Sequence, residues 1–277
     1  MNEILTRSWR LLTSNWMLLS VLILETLILL VFKGGQVGMT PNLMLEMALY
    51  FFHLAVLAGW LFMIKAVLLR ADHRASWDDF FNGVARYFTP LLGGGAMFLM
   101  VCLLGLLMAV SLATGLAGEP DMKLVEQFWQ LLQANKTTEL DKLMQQHPAV
   151  VEQLERWVGV LVAGLALLGL YALSLCFWTY WVVLGDLGWI KAWRSSQLSL
   201  RKHFKPLLFL GLVWLMPTLL IHAGLLSGLG PIQMAAFFLS LLAKVYFTLL
   251  FCHFLVLAEP EGVTPLPEQV VPPVVKL

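Results

Sequence analysis

Charge is what this sequence has least of. Lys, Arg, Asp and Glu make up 13% of its 277 residues while apolar residues make up 60%, and the mean hydropathy is +0.81. A soluble domain carries about twice that share of charge, and water does not solvate a surface so apolar. The 18 basic and 17 acidic residues leave a formal charge of +1, so no broad basic field exists to attract a nucleic acid, which is set aside as a partner. Cysteine is scarce too: Cys102, Cys176 and Cys252 each lie alone in an apolar run, without metal or redox spacing, and read as packing residues. The six histidines have no clustered Cys, Asp or Glu beside them, so neither a metal site nor a cofactor is expected. Gly93-Gly94-Gly95 lacks the Lys-Ser/Thr ending of a phosphate loop and suits close helix packing or a bend. With no Ser-His, paired-Asp or metal-ligand arrangement in the apolar runs, an enzyme is not expected.

Long apolar runs are what the chain does have. A helix needs about 20 apolar residues to cross a hydrocarbon core about 30 Å thick, because lipid offers nothing to an unpaired backbone. Six stretches qualify: Trp16 to Phe32, Leu45 to Leu69, Pro90 to Leu112, Val158 to Leu184, Pro206 to Leu225 and Ile232 to Leu257. The first is read as a span and not a cleaved signal, since Glu25 interrupts it and no small-residue cleavage pattern follows. The class expected is therefore all-α, an integral membrane bundle of about six transmembrane helices occupying 1–258. Gly34, Gly35 and Gly38, then Gly228, Gly230 and Pro231, mark short turns, and Pro217 should kink the fifth span. Lys and Arg concentrate in alternate connections, which places both termini in the cytoplasm of a cell with a bacterial-style inner membrane.

One connection is long. Residues 118–156 carry Leu124, Phe128, Leu131 and Leu132, then Leu140, Leu143 and Met144, at helical spacing, so two short amphipathic helices are expected outside the cytoplasm. They form either a lid resting on the bundle or lipid, or a docking site for a membrane-protein partner. The tail 259–277 holds Pro260, Pro265, Pro267, Pro272 and Pro273 and is expected to be disordered.

Ser8-Trp9-Arg10-Leu11-Leu12-Thr13-Ser14-Asn15-Trp16 precedes the first span, and Ser196-Gln197-Leu198-Ser199-Leu200-Arg201-Lys202-His203-Phe204 precedes the fifth. A looser version, Trp77 to Phe88, precedes the third. These basic, aromatic segments predict interfacial helices, with Trp9, Arg10, Trp16, Trp77, Arg86, Trp193, Arg194, Arg201 and Lys202 at headgroup depth against membrane lipids. The cytoplasmic basic face they form is a second possible partner surface. Gly185 to Ser196, continuing to Arg201-Lys202-His203-Phe204-Lys205-Pro206-Leu207-Leu208, resembles the membrane domain associated with glycerophosphodiester phosphodiesterases and its relatives. That resemblance implies a helical membrane module; with no catalytic domain in the chain, it implies no enzymatic activity.

Two charges fall deep inside spans, Glu25 in the first and Lys244 in the last. Each costs about 2.5 to 3.5 kcal/mol to insert, and their matching depths predict an ion pair, with His53 of the second span as a candidate third member. Lys65 lies near a span end, where its stem allows it to snorkel. The pattern leaves two functional expectations: a non-enzymatic accessory or membrane-organising protein, or a small transporter or lipid-handling protein using Glu25, His53 and Lys244.

Overall fold

The computed structural model describes residues 2–34, 43–119, 122–134, 136–225 and 230–266. Among these the chain is all-α, with eleven α-helices, one 3-10 turn and no strand. They are α1 (Asn2–Ser14), α2 (Met17–Gly34), α3 (Leu43–Leu69), α4 (Trp77–Ala117), α5 (Met122–Gln133), α6 (Thr137–Gln146), α7 (Pro148–Ser174), α8 (Trp178–Leu184), α9 (Trp189–Lys202), α10 (Phe204–Leu225) and α11 (Gly230–Ala258). Five helical stretches are long and apolar enough to cross a membrane; α1 and α2, bent by 69°, supply a sixth if counted together. The protein is a membrane protein. The turn glycines 35, 38 and 228 and the tail from 267 onward lie outside the described residues.

The helices fall into two units, 1–94 with 175–277, and 95–174. In the first unit the apolar core is concentrated at one end of the long helices. Leu18, Val21 and Leu22 of α2, Ala58 to Val67 of α3, Trp181 to Leu184 of α8 and Val245 to Leu255 of α11 supply it. Towards the other end the same helices turn apolar side chains outward, as at Leu30 and Val31 of α2, Met44 of α3 and Met234 of α11. Only hydrocarbon or another apolar partner tolerates that surface.

Helix α4 departs from expectation. Trp77 to Phe88 is not a separate surface helix but the start of one 41-residue helix that continues through Pro90. At about 1.5 Å per residue it is roughly 60 Å long, about twice the hydrocarbon thickness. Its first turns are held by packing: Gly83 lies so close to α3 that an added Cβ would sit 2.9 Å from the Ala58 carbonyl oxygen and 2.9 Å from Gly59 Cα. Tyr87 and Leu91 are buried on the same side. A Ser-x-x-Asp cap starts the helix, with Asp79 accepting from the Ser76 backbone N–H at 2.9 Å and the Ser76 hydroxyl accepting from Asp79 N–H at 3.2 Å.

The expected fourth span is broken at Leu175–Phe177 into α7 and α8. The Phe177 N–H, freed by the break, is taken by the Ser196 hydroxyl of α9 at 3.1 Å. Lys65 does not snorkel. It is 1% exposed and donates to the Val183 carbonyl at 2.9 Å, so its charge meets the negative end of α8.

The tail also begins with more order than its prolines suggest. Pro260–Gly262 forms the 3-10 turn, and Thr264 donates its N–H to Leu184 O and its hydroxyl to Gly185 O, both at 2.9 Å. The second unit is a hairpin of the end of α4 and α7, with α5 and α6 between them. Gly164 packs closely on Ala109, Ala113 is buried, and Gln153 and Trp157 donate to carbonyls at the end of α4 and at Gly118.

Candidate functional site

Glu25 is on α2 about 12 Å of helix beyond Met17, in a stretch with no other charged residue until Lys33. It is 4% exposed. One carboxylate oxygen, Oε1, contacts His53 Nδ1 of α3, and the other, Oε2, lies 3.9 Å from Lys244 Nζ of α11. Three residues separated by as many as 219 positions thus meet where α2, α3 and α11 pack on one another. The pairing compensates the carboxylate, which burial alone would penalise heavily.

The two basic partners are not buried. The side chain of His53 is 42% exposed and that of Lys244 46%, while that of Glu25 is 5% exposed. Lys244 Nζ also sits 5.9 Å from the centroid of the Trp60 ring, whose indole N–H is held by the Leu18 carbonyl at 2.9 Å. The ring is therefore a fixed wall beneath the ammonium, and its face adds cation–π attraction. The cluster has one anchored carboxylate and two basic groups with part of their surface open. It offers hydrogen-bond donors and the Lys244 ammonium to an approaching anion.

A second polar group, missed in the sequence, lies around the connection from α3 to α4. Arg70 donates to Asp79 at 2.8 Å and to its other oxygen, and the carboxylate raises the guanidinium pKa above its ordinary value. Asn15, in the α1–α2 turn, donates to His73 O at 2.9 Å and accepts from Ala75 N–H at 3.0 Å. His253 of α11 is hydrogen-bonded to Ser8 of α1 at 3.2 Å, and His203 pairs with Glu259 at 3.3 Å. The local signal for part of this was the Ser76-x-x-Asp79 spacing. The hydrogen bonds tie helix ends together, and the His203–Glu259 contact is an ion pair without a hydrogen bond.

The interfacial candidates divide. Trp9, Arg10, Trp16, Arg194, Arg201 and Lys202 are exposed, on α1, the bend after it, and α9. Trp77 is 40% exposed but starts the continuous α4. Arg86 is exposed and held by Asp186 in a two-point ion pair, Nε to Oδ1 at 3.0 Å. Trp193 is half-buried against Trp189, with ring centroids 5.5 Å apart. Among the described residues no group of three or more His, Cys, Asp or Glu is placed to hold a metal ion.

A family model described as a domain of unknown function, DUF7847, matches residues 1–275, and the chain belongs to that family. No curated protein matches it. No solved structure matches it either.

Proposed function

We propose that this DUF7847 protein is a non-enzymatic inner-membrane protein that binds and passes a small ionised solute or a lipid headgroup at Glu25, His53 and Lys244. The observation that carries this reading is the uneven burial of the cluster. An ammonium left half open to hydrocarbon bears an insertion cost of about 2.5 to 3.5 kcal/mol, an arrangement that helix packing alone does not call for. Water or a polar ligand at Lys244 and His53 removes that cost. In this reading both termini and the segments 71–88 and 187–204 face the cytoplasm, in keeping with the larger number of Lys and Arg residues in the connections on that side of the spans. The likeness of 185–208 to the phosphodiesterase-associated membrane domain supports a membrane module without catalysis.

A cysteine-free background carrying His53→Cys or Lys244→Cys tests the site. Each should react with a small water-soluble thiol reagent in intact membranes, while Leu22→Cys, in the buried core, should not. Lack of reaction at both polar positions would sink the proposal. A cysteine at Thr137 should react from the outside only; labelling confined to the cytoplasmic side would overturn the orientation.

The accessory reading retains one supporting observation: α7 has no buried residue and carries exposed Val158, Val162, Leu165, Leu167, Leu170 and Leu173. Copurification in mild detergent with one stoichiometric membrane protein, lost on polar substitution along α7, would favour that reading.

A further inference from the structure

Helix α9 is built with two opposed faces. Ala192, Ser196 and Ser199 are buried, with Ser196 and Ser199 bonded to the Phe177 N–H and the Trp181 indole N–H at 3.1 and 3.0 Å. These bonds fix the rotation of the helix on α8. The opposite face is Ile190, Lys191, Arg194, Leu198, Arg201 and Lys202, all exposed. Four cations and two large aliphatic side chains are therefore interleaved on one side of a 14-residue helix that contains no acidic residue. The nearest acidic residues along the chain are engaged elsewhere, Asp186 with Arg86 and Glu259 with His203. Among the described residues none of the four cations has an ion-pair partner.

Aliphatic side chains between cations are wasted on a fully aqueous anion, which needs only the charge. They fit a surface with hydrocarbon immediately beneath a layer of negative charge. Helix α10, an apolar span, begins two residues after α9 ends, so this face is already tethered at a membrane boundary. We propose that the outer face of α9 is a binding surface for anionic phospholipid headgroups, with Ile190 and Leu198 reaching the acyl boundary and the four cations engaging phosphates. This surface is separate from the Glu25 cluster, and either can fail without the other.

The full chain in neutral detergent, titrated with phosphatidylglycerol and with phosphatidylcholine of matched acyl chains, tests it by native mass spectrometry. Wild type should bind phosphatidylglycerol about tenfold more tightly, since each Lys or Arg at an anionic surface contributes several-fold. The variant K191Q/R194Q/R201Q/K202Q should fall to parity, and added salt should weaken the wild-type preference. Should that variant not fold, K191Q/R194Q and R201Q/K202Q serve separately, each expected to lose part of the preference. No preference in the wild type, or an unchanged preference in variants that fold, overturns the proposal. Glycerol phosphate at millimolar concentration should not displace the lipid; displacement would identify a soluble phosphate ligand and overturn the lipid assignment.

Discussion

Lys244 Nζ lies 3.9 Å from Glu25 Oε2 across the contact of α11 with α2, and the carboxylate's other oxygen is occupied by His53. The three side chains respond differently to removal of a partner because only Glu25 is enclosed. Lys244→Met should destabilise the protein by about 2 kcal/mol, below the roughly 3–5 kcal/mol of a fully buried pair, because His53 still contacts the carboxylate. Glu25→Gln leaves only the half-open Lys244 without its carboxylate and should cost less. The double variant should recover part of the loss, giving a favourable coupling in a thermal-denaturation cycle. Strictly additive losses would show that the ion pair contributes nothing to stability.

Gly83 and Gly59 should be intolerant of even a methyl group. At Gly59 a Cβ would lie 2.7 Å from the Phe80 carbonyl oxygen, and at Gly83 it would meet the Ala58 carbonyl; backbone does not swing aside as a side-chain end does. Gly83→Ala or Gly59→Ala should cost about 1–3 kcal/mol by overpacking. Gly211→Ala in α10 meets nothing within 4 Å and should be neutral or slightly stabilising. Melting temperatures in one detergent compare all three, and equal values across them would refute the close crossing.

Much of the first arrangement was legible in the sequence. A charge inside an apolar run is conspicuous, its depth follows from counting residues, and the cost of leaving it alone demands a partner, so Glu25 and Lys244 could be paired across the whole chain. Their unequal exposure was not legible, because it depends on which neighbours the folded helices place around each side chain. Lys65 illustrates the opposite failure. Its place near a helix end suits snorkelling equally well, and what decides against it is Val183 O, 118 positions away. The segment from Trp77 to Phe88 looked interfacial from its aromatic and basic residues. The structure joins it to the span as one helix, with Gly59 and Gly83 in close contact across α3 and α4, and that coincidence exists only in three dimensions. The same holds for the break before Trp178, whose stranded N–H is answered by a serine nineteen residues on.

The start of α4 should depend more on Asp79 than on Ser76. Asp79 is 2% exposed and serves both the helix cap and Arg70, whereas Ser76 serves the cap alone. Ser76→Ala should cost about 1 kcal/mol, as for an ordinary N-cap. Asp79→Ala should cost roughly 2–4 kcal/mol, adding a charged hydrogen bond lost and a guanidinium left without its carboxylate. Hydrogen exchange at residues 77–80 should rise in both variants, and at 70–75 in Asp79→Ala alone. A Ser76→Ala loss as large as that of Asp79→Ala would show that Arg70 plays no part.

The turn after α11 should behave as a clasp on the end of α8. Thr264 satisfies the Leu184 carbonyl with its N–H and the Gly185 carbonyl with its hydroxyl, and Glu259 reaches His203 at the junction of α9 and α10. Helix C-termini leave carbonyls without intrahelical partners, so a chain segment returning there gains bonds that water would otherwise make. Thr264→Val keeps the shape and removes only the hydroxyl, and should cost about 1 kcal/mol. Thr264→Pro removes the N–H, and with it the bond to Leu184, and should cost more. The readout that separates a clasp from a passive tail is limited proteolysis: cleavage after residue 258 should accelerate in Thr264→Pro and in Glu259→Gln, with the spans left intact. If neither substitution changes the cleavage rate, residues 259–266 are not held against α8 in the membrane-embedded protein.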